Sequence, residues 1–222
     1  MKRLILWGTL VLTSPLQIAA AQVTDVIKLP EAEQKGATSL EQALKARRSV
    51  REFSNSSLEL KQIAQLAWAA QGVTNRQGFR TAPSAGALYP LELYLVAGRV
   101  NGLEPGIYRY LPDRHALQLY ARGDYLRELA GAGYNQGPLH QAAAVFAITG
   151  IKERTARKYG SRAERYVLIE AGHAGQNLLL QATALGLGSV IIGAFNDPSV
   201  HELLRLSKGE LPITLIPVGV PD

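Results

Sequence analysis

The stretch EAGHAGQNLLLQATALGLGSVIIGAF, residues 170–195, decides the reading of the fold. Its first part continues a helical pattern that opens near residue 163 and runs to about 185, roughly twice the mean helix length of about 11–12 residues. Gly186 and Gly188 end it, because glycine enters the left-handed turn that closes a helix without steric cost. SVIIG (189–193) then reads as a strand. Glu170, His173, Asn177 and Gln181 fall at i, i+3, i+7 and i+11, on one side of an otherwise small and apolar helix. Beside them, Ala171, Gly172, Ala174 and Gly175 permit close approach of another backbone. A polar row on a buried helix must find partners, since an unpaired buried group costs about 1–3 kcal/mol. A ligand, an opposite subunit and intrachain hydrogen bonds would each meet that need.

Outward from this unit, Asp197-Pro198 starts a short helix and ITLIPVG (213–219) is the last strand. Upstream, LELYLVA (91–97), GIYRYL (106–111) and ALQLYA (116–121) are short runs with turn residues between them, an antiparallel meander. Asp124 caps a helix to about residue 132, and AAVFAIT (143–149) is a buried strand. Near the start, Ser39-Leu40-Glu41-Gln42 has capping-box spacing and opens a helix with Leu40, Ala43 and Leu44 on one face, ending near Ser49. A second box, Ser56-Ser57-Leu58-Glu59, opens a helix with Leu60, Ile63, Ala64, Ala67 and Ala70 at helical spacing and Gly72 as its stop. Residues 73–90, VTNRQGFRTAPSAGALYP, have no periodicity, and a loop of that length inside a domain is usually functional. The expected fold class is α+β: one mixed, mainly antiparallel sheet flanked by helices over residues 38–222, after a flexible tether at 22–37.

The chain has 222 residues, enough for one domain with a real core. At 47% apolar and 19% charged it has the composition of a globular protein and not of a disordered one. It has no cysteine, which excludes disulfides, thiolate zinc sites and cysteine nucleophiles. Lys2 and Arg3, an apolar run at 4–12 and the small residues Ala19-Ala20-Ala21 have the layout of a signal peptide over residues 1–21. The protein is therefore expected to be exported, periplasmic or extracellular, with no membrane span in its mature form; an uncleaved anchor is the alternative. Removing those residues takes two of the 24 cations and none of the 18 acids, leaving a mature net charge of +4. The basic excess lies at 45–51 and 154–165 without interleaved aromatics, which fits a local phosphate site and not a nucleic-acid surface. No GxSxG, HExxH, Walker or strand-linked GxGxxG pattern occurs. The four histidines lack ligand spacing, so no metal is expected.

Three further clusters could carry chemistry. Arg47, Arg48, Ser49 and Arg51 place three guanidinium groups within five residues, enough to clamp a monophosphate bidentately. The same cations would also answer the negative end of the first helix. In Pro83-Ser84-Ala85-Gly86-Ala87, small residues after a proline let a backbone pass close to a flat ligand, although an ordinary surface loop looks the same. Gly186-Leu187-Gly188-Ser189, joined to Ile192-Gly193-Ala194-Phe195, is a glycine turn that can be punctuation alone.

Taken in order, RRSVREF (47–53), PSAGALYPLELYLV (83–96), GIYRYLPDRHALQLYARGD (106–124) and the stretch 170–195 resemble the nitroreductase superfamily, more closely its azoline-dehydrogenase branch of the SagB/ThcOx type. The resemblance covers about residues 40–219. It implies a nitroreductase-like fold and an FMN held at the interface of an intertwined homodimer. By position it implies that Arg47, Ser49 and Arg51, beside Arg48, hold the phosphate and ribityl chain. Pro83, Ser84, Ala85 and Gly86 would line the isoalloxazine, Asn177 would bond to the flavin or its surroundings, and Gly188 and Ser189 would offer amides toward the ring. The branch carries a Lys-Tyr pair implicated in azoline oxidation, and Lys158-Tyr159 in RKYGSRAERY (157–166) is similar to it. A solvated Lys158 and a packing Tyr159 are the plain alternative.

The chain departs from many family members by ending PVGVPD (217–222) without a terminal arginine, which puts the strength of the phosphate clamp in doubt. The implied activity is an FMN-dependent dehydrogenase or oxidase of a small heterocyclic or peptide-derived substrate. An FMN nitro- or quinone reductase is one alternative, and a flavin-binding or interaction protein without turnover is another. NAD(P)H is scarce outside the cytoplasm, which favours the oxidase direction.

Overall fold

The computed structural model describes residues 25–222, so the signal-peptide segment 1–21 lies outside the described residues. In chain order the elements are β1 (Val26–Lys28), α1 (Leu40–Ala46), β2 (Leu58–Glu59), α2 (Leu60–Gln71), β3 (Leu91–Ala97), β4 (Val100–Asn101), β5 (Gly106–Leu111) and β6 (Ala116–Arg122). They continue as α3 (Leu126–Ala132), α4 (Gly137–Gln141), β7 (Ala144–Ile151), α5 (Lys152–Tyr159), α6 (Ala163–Ala184), β8 (Gly188–Ser189), α7 (Asp197–Leu203) and β9 (Glu210–Gly219). Seven strands form one sheet in the order β1-β6-β5-β3-β7-β9-β8, with every neighbouring pair antiparallel. The short β2 and β4 pair in parallel beside it.

Both faces of the central strands are covered, which explains why β3 and β7 read as continuous apolar runs. On β7, Phe146 and Ile148 pack toward α2 and α6 with Ile63, Ala67, Ala171 and Leu178. Val145 and Ala147 point the other way, toward Leu129 of α3 and Val200 of α7. The 3.6-residue spacing read for α2 delivers Ile63, Ala64, Ala67 and Ala70 to the first of these layers, each at most 1% exposed.

Four sequence expectations change. In α1 the Ser39 box forms with Gln42, but the helix ends at Ala46 and only Ala43 of its apolar face is buried, with Leu40 and Leu44 61% and 52% exposed. The Ser56 box is not used: Leu58 and Glu59 are drawn into β2, and the Glu59 amide donates to Gln62 Oε1 at 2.9 Å, so α2 starts later. The strand at 189–193 stops after Ser189 because its next partner on β9 is Pro217, which has no N–H for the ladder; Ile192 then makes a single bridge to Leu215. Lastly, part of the segment expected as a tether is ordered. Val26–Lys28 pair with β6, Leu29 is 2% exposed, and the Glu33 amide donates to Gln65 Oε1 at 2.8 Å.

Candidate active site

Helix α5 follows β7 directly and ends on Lys158 and Tyr159, and Gly160 (φ 54°) then turns the chain into α6. The pair therefore sits on the corner between two helices. The Tyr159 ring meets Tyr166 edge-on at 4.9 Å between centroids, and Lys158 Nζ lies 5.5 Å from the Tyr159 ring centre. Both side chains converge on Gly86. A Cβ placed there would lie 3.0 Å from the Tyr159 hydroxyl, 3.1 Å from Lys158 Nζ and 3.3 Å from Lys158 Cδ. Two stretches that the sequence could only treat separately are thus one constellation.

The backbone presenting Gly86 is strained. Gly86 (φ 63°), Ala87 (φ 53°) and Tyr89 (φ 46°) are all left-handed, and each non-glycine residue in that region costs on the order of 1–3 kcal/mol. Surrounding bonds hold it. Ser84 Oγ accepts from the Tyr89 amide at 2.9 Å, and Arg154 donates to the Tyr89 carbonyl at 3.2 Å. The Arg80 amide donates to the Tyr89 hydroxyl at 3.3 Å, with the Arg80 guanidinium 4.5 Å over the same ring. Arg154 also pairs with the buried Glu92 at 2.6 Å, and Glu92 pairs with Arg109 at 2.9 Å.

The polar row on α6 resolves mostly into intrachain partners. Glu170 Oε1 accepts the Ala85 amide at 2.8 Å, Asn177 donates to the Thr81 carbonyl at 3.2 Å, and Gln181 accepts from Gln65 at 3.2 Å. His173 faces outward. Burial pushes the Glu170 carboxyl above the ordinary carboxylate range, against the opposing pull of the Ala85 amide, the Ser84 hydroxyl and His173. The small residues divide. Gly175 lets Ile191 approach, since a Cβ placed there would lie 3.2 Å from Ile191 Cδ1, whereas Gly172 is open and flanked by the exposed Leu168 and Ile169.

The arginine segment packs on the glycine turn. Ser49 bridges to Ser189, the Val50 amide donates to the Ser189 carbonyl at 3.1 Å, and a Cβ at Gly188 would lie 2.6 Å from Val50 Cγ1. Gly188 and Ser189 are buried and paired with β9, so they seat the segment that carries the arginines. Arg48 caps α1 through the carbonyls of Lys45 and Arg47, at 2.9 and 2.8 Å, the helix-end role. Arg47 and Arg51 carry no ion pair among the described residues. Pro83 is exposed at the head of the loop.

Sequence reasoning missed the Glu92–Arg154 pair and the bond from Glu170 to the loop. A glutamate inside a buried strand and another on a buried helix were the available signals, but neither names its partner. No group of three or more potential metal ligands occurs among the described residues. Likewise, no described helix is long and apolar enough to cross a membrane.

The fold is thus an antiparallel sheet between two helical layers, with a cationic segment on a glycine turn and a strained loop against a Lys-Tyr pair. Residues 44–220 match the Nitroreductase family model, and the chain belongs to the nitroreductase family. It is 45% identical over 193 residues to a Methanocaldococcus jannaschii protein named as a nitroreductase (MJ1384), covering 87% of this chain and 95% of that one. It is 31% identical over 136 residues to the microcin B17-processing protein McbC of Escherichia coli, covering 58% of this chain and 49% of McbC. Among solved structures, a nitroreductase-type protein of Ralstonia eutropha superposes with a TM-score of 0.77 at 28% identity, covering 89% of this chain and 90% of that one.

Proposed function

We propose that the chain is an exported, FMN-dependent dehydrogenase or oxidase of a small heterocyclic or peptide-derived substrate, working as a homodimer. The observation that carries the reading is the convergence of Lys158 Nζ and the Tyr159 hydroxyl on the turn at Gly86. The similarity to a microcin-processing protein supports a peptide-derived substrate.

The residues present fit FMN. Arg47 and Arg51 are cations with no acidic partner among the described residues, as a phosphate requires, and Ser49 stands between them. Pro83, Ala85 and Gly86 offer a surface low enough for a flat ring. FMN, when bound, supplies the acceptor for hydride. The protein's own part is to fix the substrate and manage its proton: Lys158 Nζ holds or takes the proton at a substrate nitrogen, with the Tyr159 hydroxyl beside it as hydrogen-bond partner. A homodimer is supported by geometry. Glu170, which bonds the loop, and Ala184, next to the turn that seats the arginines, are separated by about 20 Å of helix at 1.5 Å per residue. One FMN touching both ends is therefore better served by loop and arginines from different copies. The exposed Leu40 and Leu44 on α1, and Leu168 and Ile169 on α6, supply apolar side chains for such pairing.

A nitro- or quinone reductase is the second reading, favoured by the name of the 45% identical relative. The first test is an absorbance spectrum of the mature protein before and after adding FMN, where bound flavin bands are expected at about 370 and 450 nm. A protein that refuses FMN sinks both readings and leaves a fold without turnover. Anaerobic bleaching of the flavin by an azoline-containing peptide, lost in Lys158→Ala and Tyr159→Phe with flavin retained, supports the dehydrogenase. Bleaching by NAD(P)H alone, indifferent to those two changes, favours the reductase. Export is tested by the N-terminus of the secreted protein, expected at Gln22.

A further inference from the structure

We propose that Glu170 is a positioning residue for Lys158 and Tyr159, acting through the turn Ser84–Gly86. The proposal deepens the reading above, because it takes those two side chains as the acting pair. Glu170 is 4% exposed, and its carboxylate is aimed at the loop. Oε1 accepts the Ala85 amide at 2.8 Å, and one residue earlier Ser84 Oγ accepts the Tyr89 amide at 2.9 Å. The carboxylate thus holds the entry to the run 86–89, whose Gly86, Ala87 and Tyr89 are left-handed, and Ser84 holds its exit. Within that run the local support is a single backbone bond from the Ala87 amide to the Ser84 carbonyl at 3.0 Å. Gly86, on which Lys158 and Tyr159 close, is the next residue after the amide that Glu170 holds.

The other side of the loop is tied to α5, the helix that ends on the pair. Arg154 bonds the Tyr89 carbonyl and is itself held by Glu92. The turn is therefore suspended between a carboxylate on α6 and a guanidinium on α5, and the pair moves with it. A carboxylate that only filled space in this layer would cost free energy that a leucine would not. Its presence is accounted for by the Ala85 amide it orients. The Ala85 amide is consequently committed to Glu170, and the loop offers a ligand its surface at Pro83 and Gly86 in its place.

The test measures acylation of lysines by sulfo-N-hydroxysuccinimide acetate, mapped by peptide mass spectrometry on the full mature protein. It needs neither flavin nor substrate, so its failure is separable from failure of the FMN reading. Losing a hydrogen bond to a charged group shifts the opening of the turn by about tenfold. In Glu170→Ala, Lys158 is expected to react severalfold faster, while Lys45 and Lys208 on other surfaces keep their wild-type rates. Glu170→Gln, which retains an acceptor for the Ala85 amide, is expected to restore the wild-type rate at Lys158. A folded Glu170→Ala with unchanged Lys158 reactivity overturns the proposal, as does uniform acceleration of all lysines or a glutamine variant that behaves like alanine. If Glu170→Ala does not fold, Ser84→Ala removes the bond to the Tyr89 amide that closes the same turn, and the same selective rise or its absence decides.

Discussion

Replacing Gly86 by alanine perturbs the constellation at its meeting point. The residue sits at φ 63°, where an alanine pays a left-handed penalty of about 1–2 kcal/mol. The new Cβ would stand 3.0 Å from the Tyr159 hydroxyl and 3.1 Å from Lys158 Nζ. Both are tips of side chains and can retreat by a few tenths of an ångström, so the contact adds little to the stability cost while moving both groups. The melting temperature should therefore fall by about 2–8 °C, the range that 1–2 kcal/mol produces in a domain of this size. Turnover should fall much further, by about tenfold or more, because displacements well under 1 Å already cost rate at a positioned proton-transfer group. Gly131→Ala is the control: it lies in α3 with nothing within 4 Å of its Cβ, and should stabilise by about 0.5–1 kcal/mol without touching turnover. Thermal melts by circular dichroism and single-turnover bleaching of bound flavin measure the two quantities. A Gly86→Ala protein destabilised as expected but with wild-type turnover would refute the role given to this meeting point.

Gly188→Ala drives a Cβ to 2.6 Å from Val50 Cγ1 and should cost about 1–3 kcal/mol by overpacking, with weaker FMN retention because the arginine segment is pushed off its seat; equilibrium dialysis of the folded variant checks this. Because Glu170 is raised above its ordinary value, its contribution to stability is fully present below the unfolded-state value and is lost as pH rises through the folded one. The stability of Glu170→Gln relative to wild type should accordingly improve from mildly acidic to neutral pH in urea titrations, and a flat difference would contradict the shift. Arg154→Ala leaves Glu92 with Arg109 alone and frees the Tyr89 carbonyl, so a loss of about 1–3 kcal/mol is expected in the same assay, largely cancelled when Glu92→Gln is already present.

What the sequence by itself determined was local or ordered along the chain. The Ser39–Gln42 box, the spacing of Ile63, Ala64, Ala67 and Ala70, and the three-strand meander at 91–122 are set by interactions between near neighbours, and each formed as read. The order of the arginine segment, the PSAGALYP loop and the long helix with its glycine turn was enough to point to the nitroreductase family. Tertiary structure decided every question of partnership. That Glu170 bonds Ala85, 85 residues away, and Asn177 bonds Thr81, 96 residues away, depends on how α6 lies against the loop, which no window of sequence contains. The same holds where local signals lost. Pro217 ended the strand after Ser189 from across the sheet, the pairing of Leu58 with Val100 delayed α2, and the burial of Leu29 fixed a stretch that its polarity marks as loose. Propensities and caps are worth a few tenths to one or two kcal/mol each, so a strand pairing or a buried side chain outweighs them wherever the two disagree.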